Sequence, residues 1–159
     1  MRRSFSSAAI ALLLALAPAR SAWAADVTAF VGLTSPRELW GNGYGAAFGT
    51  TWFKIATFEV EAARVPGETL DDRMTSFTGS AFLAPSFKKL TIYAGPGVGG
   101  YRQNTLLRTD NGILKTFAVG AKLKLGLAML RGEWRYIKMP SDALIPVESR
   151  IYVGAGIDF

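Results

Sequence analysis

The 159-residue chain contains no cysteine and no histidine. Without cysteine it can form no disulfide, hold no thiolate-bound metal and carry no lipid on a thiol. Without histidine it lacks the side chain most often used as a general acid or base and as a metal ligand near neutral pH. Long apolar runs are missing too: the longest spans residues 8–17, well short of the ~20 positions that a spanning helix needs. No apolar set repeats at spacings of three and four, and 17 glycines are scattered through the chain, so a helical fold is excluded. Strong charge of one sign is also lacking. Of the formal net charge of +6, three units come from Arg2, Arg3 and Arg20, which leaves 6 − 3 = +3 for the rest. The basic balance therefore gives no argument for a nucleic-acid partner.

Those three arginines belong to a segment with its own grammar. Arg2 and Arg3 are followed by the apolar run and then by Ala22-Trp23-Ala24, a small-x-small cleavage signature. Residues 1–24 are expected to be an export signal removed after Ala24, leaving one domain over residues 25–159.

The remainder reads as strands. At the carboxy end, Ile151, Val153, Ala155, Ile157 and Phe159 alternate with Arg150, Tyr152, Gly154, Gly156 and Asp158. This is period two, with one face wholly apolar and the other carrying charge, a phenol and small residues. The same alternation marks residues 26–33, 44–53, 57–65, 73–84, 90–102, 113–125 and 128–138, for eight strands in all. Carboxylates at Glu59 and Glu61 fall opposite Phe58, Val60 and Ala62, so the two faces differ in the same way as in the last strand. Pro96 within the fifth strand predicts a bulge or bend. A turn at Gly126 and Leu127 would set Leu125 opposite Ala128, Leu123 opposite Leu130 and Val119 opposite Trp134, bringing two independently read apolar faces into register. Connections alternate in length: 34–43, 66–72, 103–112 and 139–147 are long, whereas 54–56, 85–89 and 126–127 are short.

Apolar outer faces, a polar interior and alternating loop lengths predict an eight-stranded antiparallel up-and-down transmembrane β-barrel. The stretches YAGPGVGGYR and LRGEWRYIKMP resemble strands of the small bacterial outer-membrane β-barrel family of the OmpA/OmpX type, and the resemblance covers the chain after residue 24. It implies an outer-membrane location, contact with outer-membrane lipid and a monomeric barrel. The final strand is similar to the closing strand of such barrels, in which a terminal aromatic is read by the barrel assembly machinery. On that resemblance Phe159, with Ile157 and Tyr152, forms the assembly signal.

Candidate chemistry is sparse. Gly95-Pro96-Gly97-Val98-Gly99-Gly100 fits a dinucleotide fingerprint, but no helix follows to hold a pyrophosphate. Small barrels that remodel lipid A are similar in size, yet their chemistry depends on a histidine, and Ser141 and Ser149 have no base here. Asp71 and Asp72 read as a solvated turn, not a cation site. No catalytic residue, cofactor or metal is expected. The outward aromatics Trp52, Phe53, Phe58, Phe87, Phe159, Tyr44, Trp134 and Tyr136 read as interface girdles, and Arg37 and Trp40 lie in the first outer loop.

The inward charges are the remaining constellation: Glu59, Glu61, Glu133 and Asp158 against Lys122, Lys124, Arg131, Arg135 and Arg150. Eight strands enclose little more than their own side chains, and ions held there must pair. Lys122 falls opposite Arg131, so a carboxylate must lie between them, either Glu133 or one on the third strand. The expectation is a lumen plugged by charged side chains in a non-enzymatic envelope or surface-interaction protein. Two other readings stay open: a small transport or ligand-binding barrel, and a soluble exported β-barrel that binds an apolar ligand.

Overall fold

The computed structural model describes residues 24–36, 41–52, 55–67, 72–105 and 108–159. The export segment before Ala24, together with Arg37, Trp40, Phe53 and Asp71, lies outside the described residues.

Period-two alternation becomes strand throughout: β1 (Ala24–Ser35), β2 (Asn42–Trp52), β3 (Ala56–Pro66), β4 (Arg73–Leu83), β5 (Ser86–Phe87), β6 (Leu90–Asn104), β7 (Thr109–Leu125), β8 (Ala128–Lys138) and β9 (Ser149–Asp158). Neighbours are antiparallel in the order β4-β3-β2-β1-β9-β8-β7-β6, and β4 pairs with β6 to close the ring. The two-residue β5 pairs with β6 at a turn, so the wall is a closed barrel of eight strands. Closure leaves no strand edge unpaired within the wall. The seam joins the first and last strands: Ala25 and Phe159 exchange backbone hydrogen bonds of 2.8 and 2.9 Å.

The two faces divide as the alternation requires. Val31, Phe77, Ile113, Leu130, Ile151 and Val153 project outward and are exposed, while Glu59, Glu61, Lys122, Arg131, Glu133, Arg135 and Arg150 are buried inside. Among the described residues no helix is long and apolar enough to cross a membrane; the strands carry the apolar surface. An apolar wall of this extent is what a barrel solvated by hydrocarbon presents. The β7–β8 hairpin has the expected register, with Leu125 opposite Ala128, Leu123 opposite Leu130 and Val119 opposite Trp134. Gly126 takes a φ of +76° at its first turn position, the conformation that a two-residue II′ turn assigns to glycine.

Two expectations are corrected. The connection read as a long loop over 103–112 is a short hairpin: β6 runs to Asn104, β7 starts at Thr109, and the Thr105 amide donates to the Arg108 carbonyl at 2.8 Å. Its Asn, Asp and Gly content reads locally as loop, but pairing between the two strands satisfies the backbone and carries the ladder further. Pro96 makes no bulge. The β4–β6 ladder is interrupted at Ala81 and Phe82, and the register on its two sides is the same, Ser80 opposite Gly97 and Leu83 opposite Ala94. Pro96 points outward, and a missing amide donor costs one rung without adding a residue.

Candidate functional site

The lumen is organised by the positions that the strands turn inward. On β8, Arg131, Glu133 and Arg135 are successive inward residues; facing them across the interior are Glu59 and Glu61 of β3. Eight charged residues are buried among those described: Asp26, Glu59, Glu61 and Glu133, and Lys122, Arg131, Arg135 and Arg150. The four negative and four positive formal charges of these eight cancel.

The eight form one alternating chain. Asp26 Oδ2 accepts from Lys122 Nζ at 2.7 Å, and Lys122 lies 3.9 Å from Glu59 Oε2. Glu59 binds Arg131 through both oxygens, at 2.5 and 2.8 Å. Arg131 also donates to Glu133, which accepts from Arg135 Nε at 2.8 Å. Arg135 reaches Glu61 at 3.1 Å, and Glu61 accepts from Arg150 at 2.5 Å. Bidentate guanidinium pairing of this kind holds a side chain in one orientation as well as compensating its charge.

Two tyrosines lock the chain. Tyr93 of β6 donates to Glu133 Oε2 at 2.7 Å and accepts from Arg131 Nε at 2.6 Å. It lies across Gly120, whose position a side chain could not share: an added Cβ would come within 2.3 Å of the Tyr93 oxygen. Tyr152 of β9 donates to Glu61 at 3.1 Å and stacks on Phe30, ring centroids 4.3 Å apart.

At the loop end of the lumen part of the chain packs inward. In the connection 139–148, Val147 is buried against Val65, Met74, Tyr101, Leu114 and Ile137, with Met139, Ala143 and Ile145 packed beside them. Gln103 clasps this cap: its Nε2 donates to the Ile145 carbonyl at 2.5 Å, and the Ile145 amide donates back to its Oε1 at 3.1 Å. At the other end a cavity of about 260 Å³ is lined by Asp26, Lys122, Lys124 and Asp158 among others.

Seven of the nine charges singled out from the sequence meet in the chain. Lys124 and Asp158 do not: they pair with each other at 2.5 Å, partly exposed, near the turn end. Of the two candidates for the acid between Lys122 and Arg131, the third strand supplies it, as Glu59; Lys122 makes no ion pair with Glu133. Asp26, Tyr93, Phe30 and Gln103 join the site beyond the charges that the sequence marks. Asp26 shares the parity of Thr28 and Phe30 on β1, so the inward face extended back by one step includes it. Of the three residues of the proposed assembly signal, Ile157 and Phe159 are exposed on the outer surface and Tyr152 is buried in the lumen.

No protein-family model and no curated protein matches the chain. Among solved structures, the N-terminal β-barrel domain of Pseudomonas aeruginosa OprF is similar with a TM-score of 0.67 at 12% identity, over 86% of this chain and 97% of that one. Neisserial surface protein A gives 0.65 at 16% identity over 86% and 96%. The outer membrane enzyme PagL gives 0.50 at 15% identity over 84% and 98%. One architecture thus serves proteins with different roles, and role must be argued from the residues of the lumen and the surface. The chain has the fold of the small eight-stranded outer-membrane β-barrels, the OmpA/OmpX-like architecture that its strand motifs resemble.

Proposed function

We propose that the protein is an integral outer-membrane barrel that works without catalysis, stabilising the envelope or presenting its outer loops, with a lumen closed to bulk flow. The observation that carries this reading is the neutral chain of eight buried charges beneath the loop cap. Each buried carboxylate is engaged by an ammonium or guanidinium, which leaves none as a free general base. No histidine is present to replace it.

Residues 1–24 direct export in this proposal, and the assembly machinery reads the β9 strand through Phe159 and Ile157, with Tyr152 holding the strand from inside. The barrel acts as a monomer, since ring closure leaves no wall edge for a second copy to extend. A soluble carrier would need polar outer faces, and these are apolar. A ligand-binding reading draws on the cavity beside Lys122 and Lys124, at the end opposite the loops.

Fractionation with electrophoresis of boiled and unboiled samples tests the assignment. An outer-membrane fraction whose mobility shifts on boiling supports it; a soluble periplasmic protein with no shift contradicts it.

A further inference from the structure

One wall of the barrel departs from the uniform apolar outer face. Across β3, β4 and β6 the outward rows are Arg64, Thr75 and Arg102; then Ala62, Phe77 and Gly100; then Val60, Gly79 and Val98. The next row down holds Phe58 and Ala81, with Pro96 beside them on the same register. Arg73 stands above Thr75 on β4, opposite Pro66 and Asn104. The wall is therefore basic at its loop end and apolar below.

Both halves form shallow, open hollows. Arg64, Arg73 and Arg102 line a depression of about 730 Å³ with Phe77 and Gly100. Beneath it Phe58, Val60, Gly79, Ala81, Pro96 and Val98 line a groove of about 700 Å³. The groove exists because β4 places small residues where neighbouring strands place large ones. Its floor is open at Gly79, where an added Cβ would lie 4.0 Å from its nearest neighbour, the Val98 carbonyl.

None of the three arginines is ion-paired among the described residues. By strand geometry Arg64 and Arg102 stand about 10 Å apart, and Arg73 about 7 Å above their row. Three guanidinium groups at that spacing match a head group with more than one phosphate, since guanidinium binds phosphate oxygens in pairs. A phosphodiester lipid carries one negative charge and would leave most of the patch uncompensated. Lys115, opposite Val98 on β7, adds a cation on the flank.

We propose that this wall binds a multiply phosphorylated, acylated glycolipid of the outer leaflet, with its phosphates on Arg64, Arg73 and Arg102 and an acyl chain in the groove over Gly79 and Ala81. The assignment rests on the outer-membrane reading above, because only that orientation puts the basic end of the wall at the outer leaflet. The lipid would seat lengthwise, head group at the loop end and chain toward the turn end.

The test uses the full mature barrel folded in phosphatidylcholine bilayers and titrated separately with bisphosphorylated hexa-acyl lipid A, its monophosphoryl form and phosphatidylglycerol. Arg64→Gln/Arg102→Gln removes the cations, and Gly79→Leu fills the groove. Every sample is first checked for heat-modifiable mobility, so a chain that fails as a barrel is recognised before lipid is added. The parent is expected to bind the bisphosphorylated lipid about tenfold more tightly than phosphatidylglycerol, with about tenfold loss in the arginine variant and a loss of several fold in Gly79→Leu. Equal affinity of the parent for all three lipids, or affinity unchanged in either folded variant, would overturn the site.

Discussion

The hydroxyl of Tyr93 donates to Glu133 Oε2 at 2.7 Å by crossing over Gly120, the residue that separates them in the strand order. The same oxygen accepts from Arg131 Nε, so one phenol ties an acid and a base of the lumen to the wall of β6. Tyr93→Phe should lower stability by about 1 to 3 kcal/mol, the range for losing a hydrogen bond to a buried charged group. Gly120→Ala should cost more, because its Cβ would meet both the Tyr93 ring and the Gly132 carbonyl, at 2.4 and 2.7 Å. Urea midpoints for refolding into lipid bilayers give both values, and an alanine at 120 that is milder than Tyr93→Phe would contradict the clearance argument.

Glu133 joins Arg131 to Arg135. Glu133→Ala leaves the buried chain with three acids against four bases and should cost about 3 to 5 kcal/mol where the site is dry, less where water enters. The same bilayer titration measures it; an unchanged midpoint would mean that the two arginines are compensated without Glu133.

The cap over the loop end depends on Gln103, whose amide group makes both hydrogen bonds to Ile145. Gln103→Leu keeps the volume close and removes the clasp. Amide exchange at Ile145 should then accelerate while exchange in β8 stays slow, since the cap can open without the wall. Equal protection of Ile145 in parent and variant would place the cap's stability in the apolar contacts of Val147 alone.

Along β9 the outward residues sample depth. Val153, opposite Gly132 and Val31, is central, and Ile157 is near the turn end. Val153→Arg should destabilise by about 2 to 4 kcal/mol and Ile157→Arg by about 0 to 1. Equal penalties at the two positions in a refolding titration would show that the apolar band is not centred on Val153.

Much of this architecture was legible because period two states both strand and facing at once. The β7–β8 register followed from Gly126 and Leu127 with no knowledge of the remaining strands. Partner choice inside the lumen was harder to read: Glu59 and Arg131 lie 72 positions apart in sequence, and which inward residues meet depends on the stagger of the whole ring. Asp26 is hard to read for a simpler reason: it opens the first strand, and the apolar alternation that marks the two faces follows it. The cap was hidden because Ile145 and Val147 flank a proline in a segment without periodicity, and only the barrel mouth gives their side chains somewhere apolar to go. The hairpin at Thr105 to Arg108 was obscured by turn-forming residues that long-range pairing drew into strands.

The central claim is that buried charge and cap together close the lumen, and bilayer conductance of the folded parent tests it most directly. The parent should pass almost no steady current at either polarity, while Glu133→Ala, with one acid removed, should admit measurable ion flow. A large, steady conductance in the parent would contradict the closed lumen and make the transport reading the better one.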